Sequence, residues 1–261
     1  MKVEGIIFDW AGTTVDFGCM APVRAFMDSF KANGIDVTEE ETRKPMGMLK
    51  RDHIKTMLSM DRIAALWKEK YGRDWVHDDV ETIYSHFEPE LMSTLTNYTT
   101  VKPGIVDIVK KLRDMGLAIG STTGYTDKMM AVVVNAAAEQ GYAPDAWFSP
   151  DSTDGKGRPY PYMIFKNMMK LGLSDVHRVI KVGDTVSDIK EGLAAGVWSV
   201  GVIDGSSVMG LSEEQFNALT EDEKNEKREA TRKVFVDAGA DFIIQDMNGL
   251  FNVIEEIEQN C

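Results

Sequence analysis

The chain has 261 residues, 43% of them apolar, and a formal net charge of −13. That length fits one large domain or two unequal ones with a sizeable core, and the acidic balance argues against nucleic acid and anionic membranes as partners. Two cysteines far apart, Cys19 and Cys261, point to a reduced cytoplasmic protein and not to a disulfide scaffold, and no apolar stretch approaches the ~18 residues of a membrane span.

Met1-Lys2-Val3-Glu4 leads into the first predicted strand, Gly5 to Phe8, with no signal-peptide pattern. The strand ends in Asp9-Trp10-Ala11-Gly12-Thr13-Thr14, a turn rich in small and hydroxyl residues. Such a turn can aim one carboxylate and several backbone N–H groups at a single point. Asp9 there can be a nucleophile, a metal ligand, both, or only a helix cap. An aspartate two places on would supply a general acid, and that place holds Ala11.

From about Cys19 to Tyr98 no clear strand is visible. Helical patterns run over Pro22 to Asn33, Lys50 to Met57, Arg62 to Tyr71 and Asp79 to Leu95. This stretch reads as an inserted all-helical domain, which could fold over the Asp9 turn as a lid. After it, strands and helices alternate. Predicted strands are Leu117 to Thr122, Val179 to Val182 and Trp198 to Val202, with weaker candidates at Asp145 to Ser149 and Asp241 to Ile244. Helices are predicted at Ile105 to Met115, Thr126 to Gln140, Pro161 to Leu171, Ser187 to Ala195 and Leu250 to Glu258. The alternation implies an α/β fold with a doubly wound, mostly parallel sheet. Ser212 to Lys233 is charged and reads as a solvated surface helix pair.

Three more segments end strands as the Asp9 turn does, or lie between them. Ser121-Thr122-Thr123-Gly124-Tyr125 offers hydroxyls and turn amides suited to phosphoryl oxygens. Gly157-Arg158-Pro159-Tyr160-Pro161 offers a planar fork of cationic donors. Gly183-Asp184-Thr185-Val186-Ser187-Asp188 places two carboxylates four residues apart, and Asp184 with Asp9 can share a hard cation such as magnesium. Ligands of open α/β sheets bind at the carboxyl ends of the strands, so these segments plausibly converge. The sixteen methionines read as core and lid packing.

In that order the four segments resemble those of the haloacid dehalogenase superfamily of phosphotransferases. The resemblance implies a Rossmann-like core at 1–18 and 99–261 and a helical cap at 19–98, with Asp9 as nucleophile. Most phosphatases and mutases of that superfamily carry a second aspartate where this chain has Ala11. That departure, with Arg43-Lys44-Pro45-Met46-Gly47-Met48-Leu49-Lys50-Arg51-Asp52-His53, is similar to the phosphonoacetaldehyde hydrolase (phosphonatase) family over essentially the whole chain.

The likeness implies that Lys50 forms a Schiff base with the substrate aldehyde. It implies that Asp9, the Ala11 carbonyl and Asp184 ligate magnesium, and that Thr123, Gly124 and Arg158 hold the phosphonyl oxygens. Met46, Tyr125, Cys19 and His53 match pocket residues; Cys19 reads equally as packing, and His53 as a proton relay for Lys50 or as a packing residue. Asp188 suits a carboxylate that orients a metal-bound water or a neighbouring side chain. The family also implies a homodimer acting on a small phosphonate.

Chemistry gives Ala11 a reason. In a carbon–phosphorus bond the leaving atom is carbon, so there is no alkoxide oxygen for an acid to protonate. An imine on the adjacent carbonyl can accept the electrons instead, provided Lys50 is a neutral amine, which burial would favour. The alternatives are a phosphate-ester hydrolase or phosphomutase of the same superfamily, or a non-catalytic phosphate-binding protein.

Overall fold

The apolar run Gly5–Phe8 forms a strand buried on both faces, β1, at the centre of a parallel sheet. This computed structural model describes residues 2–260, so Cys261 lies outside them. The other strands are β2 (Ala118–Thr122), β3 (Ala146–Phe148), β4 (Val179–Gly183), β5 (Trp198–Val202) and β6 (Phe242–Ile244). Their order is β3-β2-β1-β4-β5-β6 and every pairing is parallel. Alternate side chains take opposite faces. Ile6 and Phe8 join one large core, and Ile7 packs with Ile164, Met168, Val179 and Val197 on the other side.

The chain first builds outward from β1 through β2 to β3, then returns to the other side of β1 for β4. That reversal opens a crevice at the carboxyl ends of β1, β2 and β4. Phe8 is in register with Ser121 and with Val182, so Asp9, Thr123 and Asp184 leave the sheet at nearly one level.

Of the six α-helices between β1 and β2, the first five make up the insert: α1 (Met20–Ala32), α2 (Glu39–Arg43), α3 (Lys50–Leu58), α4 (Asp61–Tyr71) and α5 (His77–Thr94). α2 is absent from the sequence reading. It has only five residues, and its one cue is the capping box of Thr38 with Glu41. α1 stacks Phe26 on Phe87 of α5, and both belong to the large core. The two chain segments that join these helices to the sheet run side by side. Asp16 donates its N–H to the Thr100 carbonyl, Lys102 donates to Thr14, and Val15 bridges Val101.

The remaining helices are α6 (Ile105–Asp114), α7 (Asp127–Glu139), α8 (Tyr162–Leu171), α9 (Val186–Ala195), α10 (Glu213–Ala218), α11 (Glu221–Ala238) and α12 (Leu250–Asn260). α10 and α11 are the charged pair read from Ser212 onward, each opened by a capping box. Their solvated reading holds for one face only. α11 continues to Ala238 and buries Phe235 against Gly201, where a Cβ would come within 2.8 Å of the ring. Arg228 also grips Asp204 through two hydrogen bonds of 2.9 and 2.8 Å.

Candidate active site

A short backbone run fixes the first wall. Asp9 follows β1 directly, and the N–H groups of Thr13, Thr14 and Val15 all donate to the Trp10 carbonyl. Gly12 takes a left-handed φ of 88°, and a Cβ there would collide with the Asp184 carboxylate. This tight turn brings the Asp9, Asp184 and Asp188 side chains together. One oxygen of each lies within 4.8 Å of the others, and all three residues are buried.

Arg158 reaches this cluster from the loop before α8. It is 2% exposed, and its guanidinium is fully occupied. Nη2 donates to Asp9 Oδ1 at 2.6 Å and Thr122 Oγ1 at 2.8 Å, Nε donates to Glu191 Oε2 at 2.9 Å, and Nη1 lies 3.1 Å from Asp188 Oδ1. Lys181 inside β4 adds a second buried cation, with Nζ 2.8 Å from Asp188 Oδ1 and 3.6 Å from Glu191 Oε2. Burial works against the Asp188 charge, but Arg158 and Lys181 outweigh it and hold the carboxyl below its usual range. Thr185 Oγ1 donates to the other oxygen of Asp188 at 2.6 Å.

Asp184 is different. Its oxygens accept from Thr13 Oγ1 at 2.9 Å and the Ser207 N–H at 2.7 Å. Burial, then the charges of Asp9 and Asp188, push its carboxyl well above the usual range. Four buried carboxylates (Asp9, Asp184, Asp188, Glu191) stand with three buried cations: Arg158 and Lys181 pair with Asp9, Asp188 and Glu191, and the Lys102 charge acts on Asp184. Fully ionised, the group carries an excess of one negative charge. Hard oxygen donors with that excess suit a divalent cation.

The helical insert closes the crevice from above. Its loop 45–49 lies on the turn after β2, where a Cβ on Gly124 would stand 2.7 Å from both the Gly47 and Met48 carbonyl oxygens. Ser187 Oγ donates to the Met46 carbonyl at 3.0 Å. The crevice beneath the insert, about 20 Å³, is lined by Asp9, Ala11, Cys19, Met46, Gly47, Lys50, Thr123, Gly124, Tyr125, Arg158 and Thr185.

Lys50, the first residue of α3, is 3% exposed. Its Nζ lies 4.6 Å from the Tyr125 ring centroid and 5.8 Å from that of Phe26, and makes no hydrogen bond or ion pair with the described residues. Burial pulls this ammonium down from 10.5 to about 8; Cys19 and Asp9 oppose the shift and Arg158 adds to it. The Tyr125 hydroxyl, also buried, has no partner among the described residues. Burial pushes both that phenol and the Cys19 thiol up.

The structure thus gathers most of the sequence-predicted residues around one crevice; Asp184 and Asp188 stand beside Asp9 without lining it, and one residue lies apart. His53 does not line it. The ring lies in the insert, stacked on Phe26 at 3.8 Å, with Nε2 2.9 Å from the Thr42 carbonyl and Nδ1 unpartnered. Burial, then the nearby Lys50 charge, hold this imidazole well below its ordinary 6.5.

The profile of haloacid dehalogenase-like hydrolases matches residues 3–196. Over 259 residues the chain is 52% identical to the phosphonoacetaldehyde hydrolase of Lysinibacillus sphaericus, covering 99% of this chain and 96% of that protein. The chain belongs to the phosphonoacetaldehyde hydrolase family. A second family member, from Bacillus cereus, is 50% identical over 259 residues, covering 99% and 98% of the two chains. Among solved structures, a phosphonoacetaldehyde hydrolase like protein from Oleispira antarctica superimposes with a TM-score of 0.94 at 39% identity, covering 99% of this chain and 94% of that one.

Several residues around this crevice escaped the sequence reading. Glu191 lies one helical turn beyond Asp188 on α9, a spacing that puts both on one face. Lys181 sat inside an apolar strand run, where its charge was the available signal. Thr13 and Ser207, the two donors to Asp184, carry no cue beyond being small and polar.

Proposed function

We propose that this chain hydrolyses the carbon–phosphorus bond of phosphonoacetaldehyde to acetaldehyde and phosphate, with Lys50 as imine-forming amine and Asp9 as nucleophile. One observation carries the assignment of roles. A buried lysine without an ion-pair partner shares the crevice with Asp9, and the place of the customary acid is taken by Ala11. We divide the chain into a core of 1–18 and 99–261 and a cap of 19–98, and take the cap to be the lid that delivers Lys50.

The neutral Lys50 amine adds to the aldehyde carbon, and loss of water leaves an imine. An Asp9 carboxylate oxygen then attacks phosphorus in line with the carbon leaving group. The electron pair of the broken bond moves into the imine as an enamine. Proton return to carbon and hydrolysis of the imine release acetaldehyde and free Lys50. Water hydrolyses the aspartyl-phosphate and releases phosphate. Arg158 and the Thr123–Gly124 turn would orient the phosphonyl oxygens. His53 would pass a proton near Lys50 only through a bridging water, given its place outside the crevice lining.

Asp9, the Ala11 carbonyl and Asp184 would hold magnesium, with Asp188 fixed by Lys181 and Thr185 as their neighbour. Magnesium at that position would offset charge on the phosphonyl oxygens. The acidic cluster's excess negative charge supports this choice. No helix among the described residues is long and apolar enough to cross a membrane. We take the enzyme to act in the cytoplasm as a homodimer, which light scattering tests.

The deciding assay measures acetaldehyde and phosphate release from phosphonoacetaldehyde with and without magnesium, beside a panel of phosphate monoesters. Borohydride added with substrate should leave a two-carbon adduct on Lys50 in peptide mass spectra. Turnover without any such adduct would refute the imine route.

A further inference from the structure

Arg43, at the end of α2, is a cation of the helical insert whose Nη1 reaches across the boundary with the sheet, while Nε and Nη2 stay with Glu39 and Met20 of the insert. Its Nη1 donates to the Gly18 carbonyl at 2.8 Å and lies 3.3 Å from the Ser207 carbonyl and 3.5 Å from Ser207 Oγ. Nε is held by Glu39 Oε1 at 2.8 Å on the same helix, so the fork is aimed before it reaches across. The side chain is 10% exposed, against 52% for Glu39. Gly210 makes room for it: a Cβ there would meet the Arg43 Nε at 3.0 Å.

The two carbonyls are well placed. Gly18 stands at the point where the chain leaves the sheet for α1. Its N–H donates to the Gly205 carbonyl at 2.8 Å, and a Cβ at Gly18 would collide with the Leu211 carbonyl. Residues 205–211, the loop after β5, therefore dock on the joint. Ser207 lies in that loop with both backbone groups in use. Its carbonyl faces Arg43 of the insert, and its N–H donates 2.7 Å to Asp184 Oδ2. The remaining Asp184 oxygen is held by Thr13, which follows the Asp9 turn. A continuous chain of polar contacts thus runs from the insert to the buried carboxylate through the backbone of one core residue.

We propose that Arg43 is a positioning residue that couples the seating of the helical insert to the orientation of the Asp184 carboxylate through Ser207. The proposal rests on the reading of Asp184 as a metal ligand and of the insert as a lid. With the insert seated, Arg43 fixes the Ser207 backbone, and the Ser207 N–H in turn leaves Asp184 one orientation. When the insert lifts, loop 205–211 loses its anchor and Asp184 loses a donor. Ligands fixed by such outer hydrogen bonds commonly lose metal affinity when the partner is removed.

The test uses the full chain and two readouts that involve no phosphonate. Hydrogen exchange of the metal-free protein is followed by mass spectrometry, and magnesium binding by calorimetry with the metal alone. Arg43→Met should speed exchange in peptides covering 205–211 and 43–50, leave β1 and β4 protected, and weaken magnesium binding about tenfold. Arg43→Lys, which keeps one reaching donor, should recover part of both losses. Arg24→Met, on an exposed side chain of α1, should match the wild type. Wild-type exchange at 205–211 together with wild-type magnesium affinity in Arg43→Met would overturn the proposal, as would equal losses in Arg43→Lys and Arg43→Met. A chain inactive on phosphonoacetaldehyde that still shows these shifts would refute the assigned reaction and leave the coupling standing.

Discussion

Lys50→Met should make the protein more stable and inactive at the same time. Burial takes the Lys50 ammonium from 10.5 to about 8. At pH 7 the folded chain must therefore hold a charge it disfavours, at a cost of about 3 kcal/mol by the usual conversion of about 1.4 kcal/mol per pKa unit. Methionine has a similar unbranched stem and no charge, so it removes that cost and keeps the contacts with Tyr125 and Phe26. The sign with pH follows from the lowered value. Below pH 8 both folded and unfolded chains are protonated at Lys50, and the penalty is complete. Between about 8 and 10.5 the folded chain releases its proton first, so the penalty shrinks as pH rises. Urea unfolding at pH 7, 8.5 and 10 reads this directly. The variant should lead by about 2–3 kcal/mol at pH 7, and the lead should fall steadily toward pH 10. A lead that is absent at pH 7, or one that does not change with pH, would refute the claim that burial of a bare ammonium sets the Lys50 amine.

Gly124→Ala should lower kcat/KM at least about tenfold with the fold intact, because the new Cβ would meet two backbone oxygens of loop 45–49 at 2.7 Å and hold the insert off the crevice; wild-type kinetics would show that close seating is unnecessary. His53→Phe should flatten the acid limb of stability. The wild-type ring is held neutral well below 6.5, so the unfolded chain takes up the proton first and stability falls as pH drops below 6.5; melting curves from pH 5 to 8 that keep the same slope in both proteins would contradict this. Ala11→Asp should lose phosphonate turnover without gaining ester hydrolysis, since Ala11 packs against buried Cys19, Val23 and Met46; a monoesterase that keeps its phosphonate activity would show that only the missing acid separates the two chemistries.

The strands were legible because Ile6-Ile7-Phe8 and its counterparts are apolar on both faces, as central parallel strands must be. The order of the strand-end segments was enough to place Asp9, Thr123 and Asp184 in one crevice, because a doubly wound sheet offers one such edge. Other parts depend on partners far along the chain. Lys50 reads from its neighbours as an ordinary lysine near a helix start; what buries it is Tyr125, seventy-five positions on, and Phe26. His53 shares a helix face with Lys50, yet its ring turns to Phe26 and the Thr42 carbonyl. Glu191 and Lys181 are charged residues whose burial is only intelligible once Arg158 is placed between the carboxylates.

Ala11 and Lys50 pose a single problem from opposite sides of the crevice. Where an acid would stand, the structure packs the apolar group of Cys19, Val23 and Met46, all three from the stretch 19–98 proposed as the cap. A carboxyl group there would be stripped of water by the same packing of the insert that buries Lys50. That burial favours the neutral form of both groups. For an acid meant to protonate an oxygen the proton would be retained usefully, but cleavage to carbon offers no such oxygen. For the lysine, on the proposed imine route, the neutral form is the nucleophile itself. At pH 7 an amine titrating near 8 is about one-tenth neutral, against a few parts in ten thousand at 10.5, a gain of roughly 300-fold in reactive amine. On the proposed route, desolvation under the insert would therefore help Lys50 and would serve an acid at position 11 no purpose. The same apolar seating that makes Ala11 tolerable makes Lys50 reactive.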